Sequence, residues 1–303
     1  MPGRARLVVT PGDPRGVGPE VAVRALERRA ASGDPVDAVV VGDEAALRRA
    51  GWEGPVVDPG DDPEPVEVRA LRHAVDLLRH GRADALVTGP IHKERLAARG
   101  FPYTGHTDFL GALFGVDPVM AFVGGAVRVA LVTVHVPLAR VPSALTTERV
   151  LRTIRVAHGA LRDQLGFERP RLLVCGPNPH AGDGGVLGSE DLEVVAPAVR
   201  QARADGLDAV GPVSAEAAFR AAVRGDCDLV VAMYHDQGLA PLKALGAAGL
   251  GASVNWSLGL PIVRTSVDHG TAYDIAGTGA ADPSSMEAAV RLAETLARRG
   301  RAA

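Results

Sequence analysis

Short runs rich in Val, Leu and Ala alternate along the chain with longer stretches in which apolar residues return every third or fourth position. Apolar runs of roughly four to eight residues read as strands buried on both faces, and the wider spacing reads as amphipathic helix. Strands are predicted at Arg6–Thr10, Ala38–Val41, Ala85–Thr88, Val127–Val134, Arg171–Cys175, Leu229–Met233 and Pro261–Ser266. Helices are predicted at Glu20–Ala30, Glu67–Arg79, Thr147–Leu165, Glu190–Ala204, Ala215–Arg224 and Ser285–Arg299. Alternation of this kind predicts an α/β fold with a mostly parallel sheet. Gly54–Pro65 reads as a polar surface loop. Ala244–Val263 carries no charge, but its glycines, serines, asparagine and proline mark loop plus strand, so no membrane span is expected.

Composition narrows the class. At 303 residues the chain can bury a large core as one domain or two. A net charge of −3 offers no basic footprint, so no nucleic-acid partner is expected. Cys175 and Cys227 supply neither a disulfide framework nor a zinc-ligand pair, and the N-terminus lacks the apolar segment of a signal peptide. A cytoplasmic location follows as the expectation. Of 33 basic residues only Lys93 and Lys243 are lysine, and only Asn178 and Asn255 are asparagine. Residues that resist so strong a bias towards Arg, Ala and Gly are candidates for chemistry. An ammonium with a tunable pKa is not replaced by a planar guanidinium.

The candidate chemistry collects where strands end. Thr88 leads into GPIHKE, Val134 into HVPLARVP, Cys175 into GPNPHAGDGG and Met233 into YHDQG. In open α/β sheets ligands bind outside the carboxyl ends of the strands, so residues distant in sequence can meet there. His135, His180 and His235 each stand at or just past a strand end. Singly each serves as a turn or cap, and together they suggest a divalent-metal site with open positions. Imidazole nitrogens favour zinc, and oxygens from a bidentate substrate make magnesium or cobalt workable. Asp236 and Asp268, beside His235 and His269, can act as acceptors behind an imidazole, as bases or as caps. The loop TPGDPRGVGPE, Thr10–Glu20, is neither a Walker sequence nor a full G-x-G-x-x-G. Its proline before Glu20 suits a first helical position, and a tight strand-to-helix turn would suffice to explain it. In GHTDF, His106 and Thr107 can donate to an anion, or Thr107 can cap a helix beginning at Asp108. Lys243, Asn255 and Arg264 add donors for a phosphate or carboxylate, and Arg264 equally suits a structural ion pair.

TPGDPRGVGPE, TGPIHKE, GHTDFL, NPHAGDGG, MYHDQGLAPLK and LGLPIVRTSVDHGTAYDIAGTGAAD, in this order, resemble the 4-hydroxythreonine-4-phosphate dehydrogenase family of vitamin B6 biosynthesis. The resemblance implies a two-domain α/β/α architecture similar to isocitrate and isopropylmalate dehydrogenases. Residues 1–105 with 262–303 would form the cofactor-side domain, and residues 106–261 the substrate, metal and dimerisation domain. The active site would lie in the interdomain cleft at a homodimer interface, with the metal held by histidines of both chains. By motif the metal ligands would be His135, His180 and His235, and the substrate contacts His106, Thr107, Lys243, Asn255 and Arg264. The loop His269–Pro283 is similar to the one with which isocitrate and isopropylmalate dehydrogenases hold the adenosine half of the cofactor. His269, Gly270, Asp274 and Asp282 would then contact NAD or NADP, with Asp274 near a ribose and favouring NAD by repelling a 2′-phosphate.

The implied reaction oxidises 4-phosphooxy-L-threonine by hydride transfer to NAD, and loss of carbon dioxide then gives 3-amino-2-oxopropyl phosphate. Lys243, Asp236 and a hydroxide on the metal are all open as proton acceptor. Arg15, Trp256-Ser257 and a longer, Gly/Ala-rich connection from Lys243 to Asn255 depart from the family pattern. These departures leave 4-phospho-threonate and 4-phospho-erythronate as alternative substrates. A metal-dependent phosphate hydrolase is a further alternative, and a non-catalytic binding protein a more distant one.

Overall fold

Every predicted strand forms at least in part, and four more appear between them, Val56–Val57, Val119–Gly124, Asp208–Val213 and Ser253–Leu258, the first of them inside Gly54–Pro65, which was expected to be loop throughout. The computed structural model describes residues 4–300. In chain order the strands are β1 Arg6–Thr10, β2 Asp37–Val41, β3 Val56–Val57, β4 Ala85–Thr88, β5 Val119–Gly124 and β6 Val127–Leu131. They continue with β7 Arg171–Cys175, β8 Asp208–Val213, β9 Leu229–Ala232, β10 Ser253–Leu258 and β11 Val263–Ser266. The chain forms two compact units, Met1–Asp117 with Leu260–Ala303, and Pro118–Gly259. No helix among the described residues is long and apolar enough to cross a membrane.

The first unit is a parallel sheet in the order β3-β2-β1-β4-β11. All four residues of β4 are buried, as the unbroken run Ala-Leu-Val-Thr requires of a strand covered on both faces. The helix Val66–Arg79 packs on β1, β4 and β2, while Ser284–Gly300 packs on β11, β4 and β1. Gly18–Ala31 lies against Ser284–Gly300. Between these two helices Arg29, 2% exposed, donates to Glu294 at 2.9 Å, so neither charge is buried alone.

The units part at 117/118 and 259/260, twelve and two residues from the boundaries expected at 105/106 and 261/262. The larger shift has a packing cause. The helix His106–Phe114 buries Phe109 and Leu110 in the same cluster as Leu71, Leu86 and Phe101 of the first unit.

The second unit orders its strands β10-β5-β6-β9-β7-β8. β10, β5 and β6 pair antiparallel, and β6, β9, β7 and β8 pair parallel. The hairpin between β5 and β6 turns at Gly125, whose φ of 57° is available to glycine at little cost. Ala244–Val263 divides between the end of a helix, His235–Ala247, and the buried strand β10. Gly238, Pro241 and Gly246 interrupt the periodicity of that helix, which is why its sequence pattern is weak.

The carboxyl ends of β1 and β4 approach so closely that glycine is obligatory at their crossing. A Cβ at Gly89 would lie 2.0 Å from the Pro11 carbonyl oxygen, and one at Gly18 would lie 1.9 Å from the same atom. Gly89→Ala is therefore expected to lower stability by about 1–3 kcal/mol through forced backbone displacement. Urea unfolding of the two proteins measures this, and an unchanged midpoint would contradict the predicted contact.

Candidate active site

In the second unit the β6–β9 register carries on past both strands and sets two imidazoles side by side. Leu131 pairs with Ala232, after which Val132 N donates to Ala232 O at 2.9 Å and Thr133 N to Met233 O at 3.1 Å. The Thr133 hydroxyl donates to the same carbonyl at 2.7 Å. Gln237 closes the junction: its Oε1 accepts from Met233 N at 2.6 Å and its Nε2 donates to Gly176 O at 2.8 Å. Two residues beyond this knot on each strand stand His135 and His235, with ring centres 6.0 Å apart and planes tilted by 36°. His235 opens the helix His235–Ala247, and its Nδ1 lies 2.7 Å from Asp236 Oδ1. A carboxylate on Nδ1 orients the ring so that Nε2 can meet a metal.

His180 lies beyond β7 on an unusual backbone. Residues 180–184 hold φ values of 53°, 56°, 79°, 41° and 68°, a left-handed turn in which His180, Ala181 and Asp183 are not glycine. Each such residue costs on the order of 1–3 kcal/mol, and strain of this kind concentrates at functional sites. The turn is braced from beneath. Asn178 Nδ2 donates to Glu190 and to Asp191, both at 2.8 Å, and the Asp191 carboxylate packs against Gly176 and Gly182. Burial raises the Asp191 pKa, with the Asn178 hydrogen bond opposing the shift. The His180 side chain is 76% exposed, with Nδ1 3.3 Å from Asp183.

The structure thus brings together two of the three expected metal ligands. Among the described residues no three His, Cys, Asp or Glu side chains gather as a metal site within one chain. With metal–nitrogen bonds of about 2.1 Å, two imidazoles on one tetrahedral ion have centres about 5 Å apart, so the 6.0 Å separation of His135 and His235 is close to that of a shared ion but wider.

The first unit holds a cluster suited to an anion. Arg264, on β11 and 3% exposed, donates through Nη2 to Thr88 Oγ1 at 2.6 Å and approaches Thr107 Oγ1 through Nη1 at 3.5 Å. Burial pushes this guanidinium down to about 9, a shift that a bound anion would oppose. His106 begins the helix His106–Phe114, so Thr107 falls in its first turn and is not the cap; the cap position is Gly105. Burial first, then Arg264 and Lys93, holds the His106 pKa well below the usual imidazole range. Its Nε2 is buried with no hydrogen-bond partner among the described residues. Lys93 therefore joins the group. Its rarity and its place in TGPIHKE were visible in sequence, but its proximity to His106 was not.

The strand-to-helix loop Thr10–Glu20, a weak signal by motif, is pinned by a buried carboxylate. Asp13, 0% exposed, receives Arg95 at 2.8 Å, Arg15 N at 3.0 Å and the Tyr273 hydroxyl. Tyr273 stacks on His92 with centres 5.1 Å apart and planes 3° from parallel.

A family model described as "Pyridoxal phosphate biosynthetic protein PdxA" matches residues 59–293. The chain belongs to the PdxA family. A relative from Geobacter metallireducens, named 4-hydroxythreonine-4-phosphate dehydrogenase, is 43% identical over 97% of this chain and 96% of its own. The crystal structure of 4-hydroxythreonine-4-phosphate dehydrogenase from Klebsiella pneumoniae superposes with a TM-score of 0.83 at 36% identity, covering 97% of this chain and 98% of that one. An isocitrate dehydrogenase from Methylococcus capsulatus, 17% identical with a TM-score of 0.52 over 98% of this chain and 88% of its own, shares the fold.

Within this PdxA-family chain the remaining expected residues are placed as follows. Lys243 is exposed two turns along the helix that His235 opens, and Asn255 is 9% exposed on β10. The Nδ1 of His269 lies 2.9 Å from the carbonyl of Gly270, and Asp274 is exposed. Asp282 Oδ1 accepts from Ser284 N at 3.1 Å and Ser284 Oγ at 2.7 Å, which starts the helix Ser284–Gly300 and lowers its pKa.

The neutral, buried His106 has a consequence for pH. Its folded pKa lies below the ordinary 6.5, so in that window the unfolded chain binds the extra proton. The stability linked to His106 is present above 6.5 and lost as pH falls towards its folded value. Wild type should lose more stability than His106→Asn between about pH 7.5 and about pH 5.5 in denaturant titrations. His158, whose pKa is lowered chiefly by burial, remains in both proteins, so the difference isolates His106. Equal losses would show that His106 is not held neutral.

Proposed function

We propose that the chain is a 4-hydroxythreonine-4-phosphate dehydrogenase, oxidising 4-phosphooxy-L-threonine with NAD or NADP and releasing carbon dioxide to leave 3-amino-2-oxopropyl phosphate. The observation that carries this reading is the anion cluster. A buried guanidinium, a threonine hydroxyl and a buried imidazole nitrogen awaiting a partner together suit the phosphate of such a substrate. His106 kept neutral gives a hydrogen-bond donor on one ring nitrogen without adding a charge, and Arg264 supplies the cation. Lys93 adds a second positive charge near the same point.

In this proposal His135, His180 and His235 hold one divalent ion, drawn from two copies of the chain in a homodimer. Zinc suits the nitrogen donors best, with magnesium or cobalt workable where substrate oxygens complete the shell. The support is the 6.0 Å pairing of His135 with His235, the Asp236 acceptor behind His235, and the strained turn that fixes His180. When bound, the ion favours ionisation of the substrate hydroxyl, and the nicotinamide accepts the hydride. The chain's own part is positional. Asn255 and Lys243 orient the polar end of the substrate, and Lys243 or Asp236 takes the hydroxyl proton. His269, Gly270, Asp274 and Asp282 belong to the cofactor side. 4-Phospho-threonate and 4-phospho-erythronate, which keep the phosphate and the hydroxyl, are the alternative substrates.

His235→Ala should lose bound metal and lower kcat/KM by about 100-fold or more while the chain stays folded. Elemental analysis, circular dichroism and reduced-nicotinamide absorbance test this together, and full activity in a metal-free variant would refute the site. Lys243→Arg should lower kcat by about 10-fold or more although the charge is kept. Wild-type turnover in that variant would remove lysine from the mechanism. Assaying phosphorylated threonine, threonate and erythronate with and without chelator decides among the substrates. Phosphate release without cofactor reduction would favour a hydrolase.

A further inference from the structure

A cavity of about 680 Å³ opens in the first unit beside the loop Ala276–Gly279, and its lining is mostly basic where it is charged. Three arginines line it, Arg15, Arg24 and Arg49, against a single carboxylate, Glu20. Glu20 and Arg24 form an ion pair, although Glu20 Oε1 accepts no hydrogen bond among the described residues. Arg24 Nη1 lies 3.5 Å from Glu20 and donates to Gly279 O at 2.9 Å and Ala281 O at 2.6 Å, while Glu20 Oε2 accepts from Gly277 N at 3.1 Å. This pair fastens the glycine-rich loop to the helix Gly18–Ala31 and contributes no net charge.

Arg15 and Arg49 are left over. Arg49, exposed at the end of the helix Glu44–Arg49, has no hydrogen bond or ion pair to any described residue. Arg15 is 60% exposed, with its guanidinium 5.5 Å from the Tyr273 ring centre. Its Nε is 3.9 Å from an Asp13 carboxylate that Arg95 and Tyr273 already hold. Two guanidinium charges therefore face a cavity of ligand size, where ligand pockets run to about 300–1,000 Å³. Ala46, Ala50 and Ala276 give apolar wall, and Gly277, with open space where a Cβ would stand, leaves a backbone edge that a flat base can approach. Guanidinium pairs match phosphate oxygens, and a phosphate monoester carries about −1.5 to −2 charge near neutrality. A dianion balances Arg15 and Arg49 where a carboxylate would leave one of them uncompensated.

We propose that this cavity takes the adenosine 2′-phosphate of NADP, and that Arg49 and Arg15 make the enzyme prefer NADP to NAD. The proposal rests on the dehydrogenase reading and reverses the preference expected from Asp274, which is exposed and does not line the cavity.

Titration calorimetry with 2′,5′-ADP and with 5′-AMP, in the absence of metal and substrate, tests it. Wild type should bind 2′,5′-ADP at least 10-fold more tightly, the margin expected of one charge-assisted phosphate site. Arg49→Ala and Arg15→Ala should each cut that ratio several-fold with an unchanged melting temperature, and Arg49→Lys should restore part of it. Equal wild-type affinity for the two nucleotides, or a ratio unmoved in both variants, overturns the proposal. Weakening of both nucleotides to the same degree would assign the arginines to the 5′-phosphate or the adenosine that both carry and overturns it as well. Reduction of either dinucleotide by wild type with phosphorylated threonine is scored separately. If neither is reduced, the dehydrogenase reading falls, whatever the calorimetry gives.

Discussion

One carboxylate with no solvent exposure, that of Asp13, holds the working end of the first unit in place. Burying an ionised group is tolerable only where donors surround it, and removing one partner leaves an uncompensated charge. Asp13 takes donors from three directions: its own loop through Arg15 N, the helix Lys93–Ala98 through Arg95, and the loop after β11 through Tyr273. Arg95 is shared with Glu67, whose pKa burial raises, so a second carboxylate is bound into the same node. The loops that this node joins also carry Lys93 and the segment His269–Pro283. Geometry at the strand ends of this unit therefore depends on a single buried charge being met on all sides.

The second unit reaches a comparable order by different means. There the sheet register runs on beyond the strands, and the hydrogen bonds of Thr133, Met233 and Gln237 extend it to the first residues of a helix. Side chains on adjacent parallel strands keep step, so two histidines placed equally far past the knot come together without a dedicated framework. The antiparallel strands β5 and β10 on the other side carry the fully buried Trp256 and the largely buried Asn255. A polar side chain among such packing has few rotamers open to it.

Much of the fold was legible because many of its strands are short and rich in Val, Leu and Ala, and five of the predicted elements, among them Arg171–Cys175 and Thr147–Leu165, form with the expected limits. Two of the elements that escaped show why others did. The helix His235–Ala247 contains two glycines and a proline, so local propensity argued against an element that tertiary contacts with β6 and β9 maintain. The first unit gained His106–Phe114 because burial of Phe109 and Leu110 is a three-dimensional fact with no counterpart in spacing. The site divides in the same way. Residue rarity and strand-end position singled out the histidines, Lys243 and Asn255. Asp13, Glu67 and Arg95 are common residue types, and only their burial distinguishes them.

The mirror-handed turn at residues 180–184 bears on what a ligand has to do there. A segment that adopts such a backbone only under constraint has already lost its freedom when the chain folds, since Asn178, Asp191 and the glycines between them enforce it. Association of the proposed ion at His180 would then require little further ordering of the backbone there. In the metal site proposed above, preorganisation of this kind would favour rapid, reversible exchange of an ion over slow capture by a closing loop.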